Sequence, residues 1–267
     1  MRAPRALAVV VPLALLVASC GGDDSDEGSA PTTTTASAEE LGGTLTVLAA
    51  TSLKGAFEDI EVAFEDEHPG IDVEVSTDGS ANLATAIIEG GVPADVFASA
   101  DEANLQRVID EGLAEKGGAE IFVTNLLQIA VAEGNPLGIE TLEDLTDPEV
   151  SLSLCKEEVP CGSYAKKAFE AADLTVPPAG VEDNVGGVVT KVSLGEADAG
   201  LVYVTDVIAA DDDVDGVDLA EDEQVVATYP ASVLTEAPNP EAAAAFVAFL
   251  TSAAAQEILV GYGFGLP

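Results

Sequence analysis

From Thr44 to Gly112 short apolar runs alternate with amphipathic stretches, and no other feature narrows the fold as much. TLTVLAA, residues 44–50, has the continuous apolar character of a strand buried on both faces. In the following SLKGAFEDIEVAFEDEH, Leu53, Ala56, Phe57, Ile60 and Phe64 recur at helical spacing with acids between them. GIDVEVST predicts a second strand, and SANLATAIIEGG a short helix closed by Gly90 and Gly91. PADVFASA and ANLQRVIDEG add a third strand and a third helix. This β-α-β-α-β-α order implies an α/β fold, with a mostly parallel sheet covered by helices on both faces.

The middle of the chain repeats the theme between two long extended stretches. EIFVTNLLQIAVAEGNP reads as a crossing from one lobe to another, and EQVVATYPASVLTEA as the return. Between them VSLSLC and AGLVYVTDV predict strands, SYAKKAFEAA and GGVVTKVSLGEA helices, and DDDVDGVDLAEDE an acidic loop. The last segment, PEAAAAFVAFLTSAAAQEILVGYGF, predicts closing helices with Pro240 in a first turn. Two crossings around a middle α/β unit predict two lobes, 44–124 with 236–267 and 125–235. The ligand cleft is then expected at the carboxyl ends of the strands.

The first 19 residues combine two Arg with an apolar run too short to span a bilayer, the pattern of a signal peptide. The run ends in VASC, which resembles a bacterial lipobox and makes Cys20 the expected lipidation site. Residues 20–43 have almost no large apolar side chain and read as a flexible tether. The formal charge of −40 excludes the basic footprint that nucleic acid requires. In an exported chain, the remaining pair, Cys155 and Cys161, predicts a disulfide; with one His in the chain, metal binding is the weaker reading.

No catalytic constellation is evident. His68 sits in a helix-ending turn, and neither a Gly-x-Ser-x-Gly elbow nor a phosphate-cradling loop with Lys occurs. What stands out is a set of strand-to-helix turns at Ser52, Ser80, Gly162–Ser163 and Val185. Each taken alone is an ordinary helix start. Together they place free N–H groups around a cleft, a suitable seat for an anion.

The motifs LTVLAATSLKGAFEDI, GSANLATAIIEGGVPADVFASAD, EVPCGSYAKKAF, EDNVGGVV, GLVYVTDV and NPEAAAAFVAFLTS carry a family resemblance that runs from about Thr44 to the end. The chain resembles the molybdate/tungstate-binding proteins of ABC transporters. That resemblance implies a type II periplasmic-binding-protein fold, no catalysis and no cofactor. It further implies a tetrahedral oxyanion held without cationic side chains, and a monomer that delivers it to a membrane permease. By motif, Ser52 and Ser80 would give hydroxyl and main-chain donors, Cys161 and Val185 main-chain N–H groups, and Tyr203 its hydroxyl. Cys161 stands where the family usually has a small residue such as Ala, and Thr51 offers a further donor. The other readings are the same fold holding sulfate, an exported α/β enzyme using acidic residues, and an acidic interaction module.

Overall fold

The computed structural model describes residues 41–267. The expected signal peptide, Cys20 and nearly all of the tether lie outside the described residues. The chain runs β1 (Gly43–Ala50), a 3-10 turn (Thr51–Leu53), α1 (Lys54–Glu67), β2 (Ile71–Asp78), α2 (Ser80–Gly90), β3 (Val96–Ala98), α3 (Glu102–Asp110) and β4 (Glu120–Ala132). It continues through β5 (Leu152–Cys155), α4 (Pro160–Ala171), β6 (Gly180–Glu182), α5 (Val185–Ser193), β7 (Ala199–Tyr203) and α6 (Val204–Ala210). The last elements are β8 (Val214–Asp218), β9 (Val226–Val233), α7 (Pro240–Leu250) and α8 (Ala253–Gly261).

The strands line up as β2-β1-β3-β9-β4-β7-β5-β6, with β8 added on β4. Parallel pairing joins β1 to β2 and β3 at one end, and β5 to β6 and β7 at the other. Antiparallel pairing is confined to the contacts of β4 and β9. These are the two expected crossings. β4 pairs with β9 from Glu120 to Leu126 and with β7 and β8 from Leu127 onward, so one continuous strand links both halves.

β1 is buried on both faces, as its composition predicts. Val47 and Ala49 join the core around Phe57, Phe64 and Phe246, while Leu48 faces Leu83, Phe97 and Leu105 on the other side. The apolar stripe of α1 packs on α7, with the Phe64 and Phe246 rings edge to face at 5.2 Å. Cys155 and Cys161 are joined by a disulfide. Among the described residues no single helix is long and apolar enough to cross a membrane.

Three segments differ from expectation, the first being β6, a short strand paired with β5 that the sequence pattern does not predict. The acidic stretch after Asp211 contains β8, an outer strand in which Val214 is buried while Asp215 and Asp218 face solvent. Its acids do not prevent pairing because only one side of the strand is covered. AGLVYVTDV is not a strand throughout: β7 stops at Tyr203 and α6 begins at once, with Asp206 Oδ2 accepting a hydrogen bond from Tyr203 N–H at 2.9 Å.

Candidate functional site

The carboxyl ends of β1, β2, β5, β6 and β7 converge on a small cavity. It is lined by Thr51, Ser52, Gly79, Ser80, Cys161 and Val185, among others, with Tyr203 at the end of β7. The five residues singled out as an oxyanion seat therefore surround one space. The cavity offers about 20 Å³ to the centre of a water-sized atom.

The helices that end there contribute main-chain donors. Pro160 occupies the first turn of α4 and has no N–H, and Ser163 N–H bonds the Val159 carbonyl. The N–H groups of Cys161 and Gly162 are thus left at the helix start. At α5, Asn184 is the cap and its Oδ1 accepts from Gly187 N–H at 3.1 Å, leaving the N–H of Val185 at the mouth of the helix. Asn184 Nδ2 also donates to Asp78 Oδ1 at 3.4 Å, so the β6–α5 turn meets the β2–α2 turn over the cavity. A Cβ on Gly79 would lie 2.8 Å from the Asp183 carbonyl oxygen, which is why no side chain fits at that contact.

Neither serine caps its helix. Ser52 lies inside the 3-10 turn, and its Oγ is 2.9 Å from Tyr229 Oη. Ser80 is the first residue of α2, and its Oγ accepts from Ala100 N–H at 3.0 Å. With that lone pair engaged, the Ser80 hydrogen is left to donate. Two buried hydroxyl oxygens at the cavity, Thr51 Oγ1 and Tyr203 Oη, have no hydrogen-bond partner at all. Buried hydroxyls without partners are rare in folded proteins.

The lining contains no Lys or Arg, and Lys54, which follows Ser52 closely in sequence, is exposed. Burial, with the neighbouring phenols and carboxylates, pushes the Tyr203 hydroxyl well above its ordinary range. Burial does the same for Tyr229, against its hydrogen bonds with Ser52 and Asn125. Both phenols keep their protons at physiological pH and so each has a hydrogen to donate. Burial also pushes the Asp206 carboxyl up to about 7, although this residue retains some solvent-facing surface. Among the described residues no group of three or more His, Cys, Asp or Glu could hold a metal ion.

Tyr229, Asn125 and Asn184 escape a reading of the sequence. Asn125 and Tyr229 are polar residues inside runs that read as buried strands, and that is the one local signal they give.

A two-lobed α/β fold whose strand ends line a small cavity without charged side chains is that of an extracytoplasmic binding protein. The family model for bacterial extracellular solute-binding proteins matches residues 45–265, and the chain belongs to that family. It is 39% identical over 224 residues to the molybdate-binding protein ModA of Mycobacterium tuberculosis (strain ATCC 25618 / H37Rv), covering 84% of this chain and 85% of that one. Among solved structures, the Azotobacter vinelandii periplasmic molybdate-binding protein superposes with a TM-score of 0.73 at 20% identity, covering 84% and 99% of the two chains. The sulfate-binding protein SubI of Mycobacterium tuberculosis H37Rv gives 0.73 at 20% identity, covering 83% and 86%. At that identity both structures speak to the fold. The protein is a solute-binding protein and not an enzyme.

Proposed function

We propose that the protein captures molybdate or tungstate between two lobes and presents the closed form to an ABC-transporter permease. The lobes are 44–124 with 236–267 and 125–235. The hydroxyls and N–H groups of Ser52 and Ser80, the N–H groups of Cys161 and Val185, and the Tyr203 hydroxyl hold the anion. The observation that carries this reading is a cavity ringed by neutral donors, two of them unpartnered, with no cation in its lining. The 39% identity to a molybdate-binding protein supports the same ligand.

The chemistry follows from the donor set. A fully deprotonated oxyanion presents only acceptors, and each neutral donor can make a charge-assisted hydrogen bond to it. Hydrogen phosphate brings a donor of its own and leaves it unpaired, which is unfavourable. Sulfate carries no proton, so the same donors accept it and only the size of the cavity separates it from molybdate; sulfate is the second reading. The acidic exterior does not oppose binding at this range, since exposed charges are screened beyond about 8 Å at physiological salt.

Molybdate or tungstate at about 100 times its dissociation constant adds ~2.7 kcal/mol of stability, which raises the melting temperature by roughly 5–10 °C for a domain of this size. Phosphate gives no shift. Equal stabilisation by sulfate selects the second reading, and no shift with any of the oxyanions removes the proposal.

The same proposal places the mature protein outside the cytoplasmic membrane, as a monomer anchored by lipid on Cys20. Cys20→Ala is expected to release it into the medium, measured by fractionation. Continued retention in the membrane fraction refutes the anchor.

A further inference from the structure

Ser52 Oγ and Tyr229 Oη face each other at 2.9 Å, and either can donate. Which of them does so decides what Ser52 offers the cavity. The choice is made further back, on the crossing strands. Leu126 N–H donates to Asn125 Oδ1 at 2.9 Å. A main-chain N–H can only donate, so this bond fixes the orientation of the Asn125 amide and turns its Nδ2 to the other side. There Nδ2 donates to Thr205 Oγ1 at 2.8 Å and approaches Tyr229 Oη at 3.4 Å. The Tyr229 hydroxyl accepts from Asn125 and has its single hydrogen to give to Ser52. With that hydrogen on Ser52 Oγ, the Ser52 hydroxyl keeps its own hydrogen for the cavity. Asn125 and Tyr229 are 1% and 0% exposed, so water does not compete for these bonds.

We infer that Asn125 and Tyr229 are positioning residues that set anion specificity, by a one-way chain of donors that holds Ser52 as a donor toward the cavity. The inference rests on the oxyanion reading proposed above. Neither residue lines the cavity; both act through Ser52. Without Tyr229 Oη, the Ser52 oxygen is free to accept as well as donate. It can then receive the hydrogen of a protonated anion, so discrimination against hydrogen phosphate weakens along with affinity for the deprotonated anion.

The test is a double-mutant cycle read by titration calorimetry with tungstate, molybdate and phosphate on the full mature chain. Tyr229→Phe is expected to weaken tungstate binding roughly tenfold, the upper end of what one neutral hydrogen bond contributes. It is also expected to lower the ratio of tungstate to phosphate affinity. In a Ser52→Ala background the same change has no further effect, because the chain acts only through Ser52. A merely structural role for Tyr229 would weaken all three anions alike and would add to Ser52→Ala. Unchanged affinity in Tyr229→Phe, or a full additive loss in the double variant, overturns the inference. Should Tyr229→Phe melt before it can be titrated, Asn125→Ala runs the same cycle against Ser52→Ala, with the same outcomes. A wild-type chain that binds neither tungstate nor molybdate defeats the oxyanion reading itself and takes this inference with it.

Discussion

Gly162→Ala is expected to destabilise the protein by about 3 kcal/mol, roughly 6–12 °C in melting temperature, and to weaken oxyanion binding more than tenfold. The direction is the opposite of the usual one, since replacing Gly by Ala within a helix ordinarily stabilises by about 0.5–1 kcal/mol. The reason lies in what α4 is built against. A Cβ at Gly162 would sit 1.9 Å from the Lys156 carbonyl oxygen and 2.7 Å from that of Cys155. Both are backbone atoms of a segment that cannot easily retreat. Its Cys155 is tied to Cys161 by the disulfide, and Lys156 N–H is bonded to the Glu182 carbonyl at 3.0 Å. The start of α4 must therefore move, and it carries the Cys161 N–H away from the cavity with it. Gly261, where an added Cβ meets nothing within 4 Å, is the control, and Gly261→Ala should leave both stability and affinity within error or slightly raised. Urea unfolding and calorimetry on the two variants decide the matter. A Gly162→Ala protein as stable as the wild type would show that the close packing of α4 does not hold the Cys161 donor in place.

Much of this was legible in the sequence, and the reasons for success and failure are physical. The period of Leu53, Phe57, Ile60 and Phe64 gave α1 because a helix must bury one stripe, and those residues are the buried ones. The run from Glu120 read as a crossing because it is too long and apolar for a loop, and it forms the strand shared by both halves. The acidic stretch that contains β8 was not legible. Pairing there is decided by the free edge of β4, which local composition does not report.

The site divides along the same line. In the proposed site Cys161 and Val185 would contribute main-chain groups, so their side chains say nothing, and only the turn motifs around them point to the cavity. Each serine stands at a helix start, as its turn motif suggests, but neither caps it, because each oxygen is engaged by a group distant in the chain, Tyr229 for Ser52 and Ala100 for Ser80. Residues 52 and 229 are separated by 177 positions, and nothing near either one announces the other. Tertiary pairing of this kind is what the structure adds.

Tyr203→Phe is expected to act with opposite signs on two measurements. Tyr203 is 1% exposed, and its hydroxyl has no hydrogen-bond partner. Leaving a buried hydroxyl unpaired costs about 1–3 kcal/mol, so removing it leaves the ligand-free protein as stable as before, or more stable. The ring keeps its edge-on packing against Tyr229, with centroids 6.0 Å apart, and opens no cavity. For the anion complex the change works the other way. A hydrogen bond to a charged acceptor contributes about 1.5–3 kcal/mol, so affinity for molybdate or tungstate falls roughly 10- to 100-fold. The fall should be independent of pH between 6 and 9, because the burial that raises the Tyr203 phenol keeps it protonated throughout that range. A core tyrosine with a purely structural role would give the reverse pattern, with a lower melting temperature in the ligand-free protein and unchanged affinity. Melting of the ligand-free variant together with a tungstate titration separates the two, and the reverse pattern would remove Tyr203 from the site.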